Sequence, residues 1–317
     1  MPIDIGSGSK MGVSDSDQDQ VSLDSIPLVT VALPVYNAGK YLRPAIFSII
    51  NQTFKNWELL VIDDGSTDNA IQKLAGINDV RIKIFRDGQN RGLAIRLNEA
   101  INMAKGSYFA RMDSDDISYP ERLARQLAML HSDSTLDLVA TRAITIDEND
   151  NATGLFPFAI SHEEICAQPW QGFYLPHPTW MGKIEWFRKH WYTVPAPYYC
   201  EDQELLLRSY RDSHFYTLNE ILFAYRIRTG VDWRKLARTR RTLFGFQMKY
   251  FFTKKLWRCL VLAAFIFVAK KMGDLSKRVQ HRTFYPKRDT VAEAVVQKWQ
   301  KILEELAKEK KYSEKLC

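Results

Sequence analysis

Short apolar runs alternate with helical periodicities along most of the chain. "LVTVALPVY" (Leu28 to Tyr36) has the length and character of a buried strand. "GKYLRPAIFSIINQTF" follows, with Ile46, Ile49 and Ile50 on one helical face. "WELLVIDDG" is a second strand stopped by Asp-Gly, and "STDNAIQKLAG" predicts a helix capped by Ser66 or Thr67. "RIKIF" is a third strand, "RGLAIRLNEAINMAKG" a helix ended by Gly106, and "SYFARM" a fourth strand. "PERLARQLAMLH" predicts a helix with Pro120 in its first turn, and "LDLVATRAITI" supplies a fifth strand. Such alternation predicts an α/β protein with a mostly parallel, doubly wound sheet. Ligands bind to such sheets beyond the C-terminal ends of the strands, where the loops diverge around a crevice.

The length of 317 residues allows one substantial core and an appendage. Residues 1–26, rich in Gly, Ser, Asp and Gln, lack a basic start and an apolar leader and are expected to be a disordered tail. A folded body is expected over 27–230, with halves 27–117 and 118–230, and a helical extension over 231–317. Cys166, Cys200, Cys259 and Cys317 lie far apart, which suggests neither a zinc site nor a disulfide framework and fits a reducing compartment. The net charge of +7 divides unevenly. Trp233 to Cys317 holds 22 Lys and Arg against 7 Asp and Glu, or +15, and the remainder holds 22 against 30, or −8. A basic extension on an acidic body implies an anionic partner.

The acidic residues concentrate where the strands end. Asp63 and Asp64 follow strand two, and Asp113, Asp115 and Asp116 follow strand four, so both clusters should face one crevice. Carboxylates so gathered raise one another's pKa unless a cation or hydrogen-bond donors compensate. Oxygen ligands at D-x-D spacing suit Mg²⁺ or Mn²⁺. A lone Asp-Ser-Asp is more often a helix start or a turn. Asn90, Arg91 and Gly92 open the helix after strand three, a natural place for base or phosphate contact or simply a helix start.

Taken together, "VALPVYNAGKYLRPAIFSIINQTFKNWELLVIDDGSTDNA", "NRGLAIRLNEAINMAKGSYFARMDSDDISYPERLARQ", "HPTWM" and "CEDQELLLR" resemble the family-2 glycosyltransferases of the GT-A fold, over roughly Leu28 to Arg228. "MDSDDISYPERL" is similar to enzymes that build bacterial surface polysaccharides. The resemblance implies a Rossmann-like sheet whose first half holds a UDP-sugar. Pro34, Tyr36 and Asn37 would pack around base and ribose, and Asp63 or Asp64 would accept hydrogen bonds from them. Asp113 and Asp115 would carry Mn²⁺ or Mg²⁺ across the donor diphosphate, with Ser114 between them at the donor and Asp116 orienting neighbours. Asp202, with Glu201 beside it on the acceptor side, matches the E-D motif that supplies the general base of an inverting transfer; alone, the pair would be acids complementing a helix dipole. His177 and Trp180 would lie near the acceptor, or be structural and core residues. Arg226 and Arg228 would contact phosphate from a mobile loop.

The basic extension mixes Arg234, Arg238, Arg241 and Lys249 with Leu243, Phe244, Phe246, Phe251 and Phe252, as interfacial membrane segments do. Nucleic-acid binding by basic and aromatic residues is the alternative; no nucleic-acid motif is present. The longest apolar run, Cys259 to Ala269, falls short of the roughly 20 residues of a spanning helix. Val295, Trp299, Ile302 and Leu306 predict an amphipathic helix that packs on the body or pairs with another copy. The leading expectation is a metal-dependent, inverting hexosyltransferase, peripheral at the cytoplasmic face of the inner membrane, acting on a lipid-linked saccharide. Sugar transfer to a polyprenyl phosphate and nucleotide-sugar formation are alternatives that leave the E-D motif without a task.

Overall fold

A computed structural model of the chain describes residues 28–227, 232–279 and 291–314. The N-terminal segment, Arg228 and Cys317 lie outside the described residues.

The first half is built as its hydrophobic pattern predicts. Strands β1 (Val29–Val35) and β2 (Trp57–Asp63) are buried at every position, the mark of parallel strands covered on both faces. With β3 (Ile82–Arg86) and β4 (Tyr108–Arg111) they pair in parallel, and β1 lies between β2 and β4. Pro34 sits two residues beyond the last β1–β4 pair, Ala32 with Arg111, where a residue without an N–H costs no ladder bond on that side. Helices α1 (Leu42–Ile50), α2 (Leu93–Met103) and α3 (Arg122–Ser132) cross between strands.

The second half is mixed. Strand β6 (Leu138–Ile146) is the expected fifth strand, but its neighbours carry no clear alternation in sequence. Short β8 (Met181–Lys183) pairs antiparallel with both β4 and β6, and long β9 (Phe215–Arg226) runs parallel to β6. β5 (Ile117–Ser118) and β7 (Ala152–Leu155) complete a sheet of order β3-β2-β1-β4-β8-β6-β9-β5, with β7 on β6. One sheet therefore runs through both expected halves. Gly182 fits in β8 because a Cβ there would lie 2.4 Å from the Asp137 carbonyl oxygen. Helices α4 (His162–Cys166), α5 (Ile184–Lys189) and α6 (Glu201–Ser209) flank this half.

Two local expectations are corrected. Residues 66–76 form no α-helix, only a 3₁₀ turn over Gln72–Leu74. Ser66, Thr67 and Asp68 are used instead to tie this loop to residues 37–39, and Asn69 takes a left-handed φ of 56°. Gly106 does not end α2, which stops at Met103. It admits the approach of β1, since a Cβ there would stand 2.6 Å from Thr30 N.

The sheet separates two cores. Ile46, Ile49, Leu123 and Leu127 pack with β1 and β2 on one face; Leu97, Ile101, Phe187, Leu205 and Leu206 pack on the other. The C-terminal extension adds helices α7 (Trp233–Thr253), α8 (Trp257–Val279) and α9 (Glu293–Glu314). α7 and α8 form an antiparallel hairpin held by Phe244 stacked on Phe267 at 4.3 Å and by an Arg240–Asp274 ion pair. Phe251 is fully buried and Phe246 packs against the second core, so these residues, expected as exposed apolar surface, are committed to the body.

The amphipathic C-terminal helix packs on the body. Trp299, Ile302 and Leu306 join Ile117, Tyr119 and Ile144 in a third cluster. Trp299 stacks on Tyr119 at 6.2 Å and donates its indole N–H to the Asp150 carbonyl at 2.8 Å. The face that would have paired with another copy is therefore covered. Trp299→Ala should lower the unfolding free energy by about 3 kcal/mol or more in chemical denaturation. Glu305→Ala, on the exposed side, should stay within about 0.5 kcal/mol of wild type. Equal effects of the two changes would contradict this packing.

Candidate active site

The loops after β1, β2 and β3 are fastened to one another at the C-terminal edge of the sheet. Asn37, at φ 50°, donates its N–H to Ser66 Oγ and accepts from Thr67 N at 2.8 Å; Tyr36 beside it is exposed. Asp63 accepts from Ser66 N at 2.9 Å and pairs with Arg86 at 3.2 Å. Asp64 has a different task. Its carboxylate accepts the N–H groups of Arg91 and Gly92, at 2.7 and 3.1 Å, and the Nε–H of buried Arg96 at 2.8 Å. Asp64 thus sits at the N-terminus of α2, where a negative group is favoured, and those two N–H groups are given to it. The Arg91 guanidinium turns to Glu99 and Asp87, and Asn90 is exposed. Hydrogen bonds from Arg96 hold the Asp87 carboxyl well below its usual range.

The second group of acids stands on the turn from β4 into β5. Burial, and repulsion from Asp115 and Asp202, raise the Asp113 pKa although Arg111 pairs with its carboxylate at 2.5 Å. Ser114 and Asp115 are partly buried. Asp116 is almost wholly buried, and burial followed by repulsion from Asp113 and Asp115 pushes its carboxyl far above the carboxylate range. Its Oδ1 accepts from Arg226 N at 2.7 Å, while Oδ2 is buried without a partner.

Arg226 is the lock of this turn. At the end of β9 it is buried, and its guanidinium donates to the Asp115 and Asp147 carbonyls and to Asp150. The expectation of a mobile phosphate contact is corrected, because every nitrogen of this side chain is committed within the protein.

Glu201 and Asp202 open α6, whose N-cap is Cys200. Burial, then Asp202, raise the Glu201 pKa from the usual 4.5 to about 7. Burial also raises Asp202, against the opposing hydrogen bond from Gln203. Gln203 anchors α6 to residues 172–173, accepting from Phe173 N at 2.8 Å. A Cβ on Gly172, at φ 106°, would meet its Oε1 at 2.7 Å.

Arg111 joins the two halves, and sequence analysis missed it. Burial opposes its charge, but Asp113, Tyr192, Glu201 and Asp116 more than offset the cost. Its field also reaches Asp202 and His177, so a single buried guanidinium sees acids from β4 and from α6. A cation two residues before the first Asp of a D-x-D was the available signal.

The acceptor-side aromatic residues are internal. His177 is buried and bonded through Nε2 to the Tyr192 hydroxyl at 2.7 Å, and burial, then Arg111, drive its pKa well down. Trp180 is fully buried, packs against His177 and donates Nε1–H to the Leu175 carbonyl at 3.2 Å. As a correction, its ring is core and offers no face to a sugar.

Among the described residues no three His, Cys, Asp or Glu side chains converge as a complete metal cage. The donor set nonetheless fits a hard divalent cation. Asp113 and Asp115 supply only oxygen, Asp116 keeps an orphaned buried oxygen, and a bound cation would relieve the repulsion that raises Asp113 and Asp116. Such ions complete their shells with water and substrate phosphate.

Acids gathered at the C-terminal edge of the strands stand where ligands bind in α/β enzymes. Residues 30–191 match the family model "Glycosyl transferase family 2", and the chain belongs to that family. It is a glycosyltransferase. It is 33% identical over 217 residues, 66% of this chain and 76% of the relative, to a Bacillus subtilis protein named as a glycosyltransferase, EpsE. Over a shorter stretch of 103 residues, 32% of this chain and 41% of the relative, it is 40% identical to Escherichia coli WfgD. That protein is named UDP-Glc:alpha-D-GlcNAc-diphosphoundecaprenol beta-1,3-glucosyltransferase. The structure of S. aureus TarS 1-349 with UDP-GlcNAc is similar, at a TM-score of 0.55 and 17% identity over 88% of this chain and 91% of that one. The mannosyltransferase PcManGT from Pyrobaculum calidifontis, with GDP-Man and Mn²⁺, has a TM-score of 0.54 at 19% identity, over 78% and 76%. These likenesses show the GT-A fold.

The raised Glu201 pKa has a sign in stability. Between pH 4.5 and about 7 the folded state holds a proton on Glu201 that the unfolded chain has released, so wild type should lose stability as pH rises through that window. Glu201→Gln should remove that part of the slope. Thermal or chemical unfolding of both proteins across the window, without added divalent cation, checks this; parallel profiles would contradict it.

Proposed function

We propose that this enzyme transfers a hexose from a UDP-sugar to a hydroxyl of a lipid-linked saccharide, with inversion, during surface polysaccharide synthesis at the cytoplasmic face of the inner membrane. The observation that carries the proposal is that buried Arg111, hydrogen-bonded to Asp113, also acts electrostatically on Glu201 and Asp202, so that a donor-side acid and a candidate base share one charged environment. The names of WfgD and of the TarS complexes support a UDP-sugar donor, and WfgD supports a lipid diphosphate acceptor.

Asp202 has the properties that a base needs here. It is partly buried, its proton affinity is raised, and it starts a helix whose Leu205 and Leu206 fix it to the core. As the acceptor oxygen forms its bond to the anomeric carbon, Asp202 takes the hydroxyl proton. The bond from that carbon to the diphosphate oxygen breaks, and its electron pair leaves with UDP. Attack opposite the leaving group inverts the anomeric centre. Glu201, whose pKa is raised by burial and by Asp202, keeps its proton more readily than a free carboxyl and in that form donates a hydrogen bond to the acceptor beside the base. Asp113 and Asp115 would hold Mn²⁺ or Mg²⁺, which when bound supplies positive charge to the departing diphosphate. The exposed Tyr36 ring and the neighbouring Asn37 turn are available to the base and ribose. Transfer to a polyprenyl phosphate would leave Asp202 without a proton to accept.

Asp202→Asn should bind UDP with Mn²⁺ as wild type does while kcat falls by about 10²-fold or more. Near-normal turnover, or loss of UDP binding, would move the base elsewhere. Asp113→Asn should instead abolish the Mn²⁺ dependence of UDP binding in calorimetry, because an amide oxygen is a poorer ligand for a hard cation. Unchanged binding in that variant would refute the metal assignment.

A further inference from the structure

The hairpin of α7 and α8 leaves a long apolar surface uncovered. Its inward side is occupied: Phe251, Ala263, Cys259 and Leu260 pack on the body, and Phe267 stacks on Phe244. On the outward side of α8, Trp257, Val261, Phe265, Val268, Met272 and Leu275 are each 53–69% exposed. They recur at spacings of four, four, three, four and three residues, so they form one ridge about 27 Å long. Phe252, at the end of α7, is exposed beside Trp257, with the rings 5.6 Å apart. Soluble proteins rarely leave so many large apolar side chains in one line facing water.

The charges around the ridge select what covers it. Lys254 and Lys255, in the turn between the helices, and Arg258 and Lys271 on α8 are exposed, whereas Lys270 donates to the Gln171 carbonyl of the body at 3.5 Å. The sequence of α8 holds five cations and one acid, a net +4, and that acid, Asp274, is paired with Arg240. The ridge spacing would also suit a second α8, yet a second copy would bring the same cations to the same flanks with no carboxylate to meet them. An anionic lipid surface supplies both needs: acyl chains for the ridge and negative headgroups for the flanking Lys and Arg. No helix among the described residues is long and apolar enough to cross a membrane, so an α8 bound to a bilayer would lie in its plane.

We propose that α8 is a membrane-docking element whose Trp257-to-Leu275 ridge enters the headgroup and acyl boundary of an anionic bilayer. This surface stands apart from the sugar chemistry and goes beyond a general attraction of the basic extension to membranes. α7 is the structural arm and α8 the docking arm. Because α7 also packs on α6, the docked hairpin connects the bilayer to the helix that carries Asp202.

The test uses the full chain and two kinds of vesicle, phosphatidylcholine alone and phosphatidylcholine with an equal part of phosphatidylglycerol. Wild type should co-sediment with the mixed vesicles and much less with the neutral ones. Phe265→Asp combined with Val268→Asp should weaken that binding by about tenfold or more. Lys254→Gln with Lys255→Gln should weaken it by about fivefold for each cation lost, and only on the anionic vesicles. These side chains already face water, so UDP binding and the thermal midpoint should stay as in wild type; Met272→Ser provides a milder ridge change if the double variant unfolds. Wild type that ignores both vesicles, or ridge variants that bind like wild type, would overturn the proposal. So would a dimer in light scattering that Phe265→Asp splits, since the ridge would then belong to a second copy. UDP binding reports on the donor site separately, so failure of the docking proposal and failure of the catalytic one are distinguishable.

Discussion

One buried guanidinium holds the active-site edge together. Arg111 ends β4 with almost no access to water, pairs with Asp113 on the following turn, and acts electrostatically on the Glu201–Asp202 pair at the start of α6. Acids gathered from two halves of a sheet repel one another in a low dielectric, and an uncompensated cluster would force the loops apart or protonate. The same device recurs twice at the edges of the crevice. Arg96 gathers Asp64, Asp87 and Glu99, which shapes the loop into α2, and Arg226 closes the Asp113-to-Asp116 turn over Asp147 and Asp150. Arg96 and Arg226 are buried and multiply bonded, the arrangement in which a planar fork serves and a lysine would not, whereas Arg111 bonds Asp113 and leaves Nε and Nη1 buried without a partner.

Burial then divides the carboxylates by task. Asp64 is satisfied by two backbone N–H groups and Arg96, so it behaves as a staple. Asp113 and Asp116 are only partly compensated, and that residual repulsion suits a site completed by a cation and a diphosphate. Among the described residues no arginine is hydrogen-bonded to Asp202; its proton affinity stays raised, as a base requires. These differences arise among residues of one chemical type, and only their neighbours separate them.

The C-terminal extension follows a similar division. Its sequence is basic and aromatic throughout, yet the three helices have separate roles. α7 is consumed by the body and by α8, α9 covers Tyr119 through Trp299, and α8 alone keeps an apolar ridge in water. The requirement is geometric: a hairpin two helices wide has an inner and an outer side, and the body covers only the inner one.

Much of the fold and the positions of the acids were legible in the sequence. Continuous apolar runs marked β1 and β2, periodicity marked α1, α2 and α3, and the strand-end rule put Asp63, Asp64, Asp113, Asp115 and Asp116 on one edge. The family motifs pointed to Asp202 at the start of a helix. The sequence could not show β8, three residues long, or the irregular register of β6 with β9, because short strands and bulged pairings carry no period. Nor could it tell that Trp180 is core, that Asp64 is already bonded, that Arg226 is a lock, or that Arg111 stands among the acids. Periodicity and motif spacing are local quantities set within a few residues. Burial, hydrogen-bond partners and the sign of a pKa shift depend on residues brought from as far away as Asp116 and Arg226, which only tertiary packing places side by side.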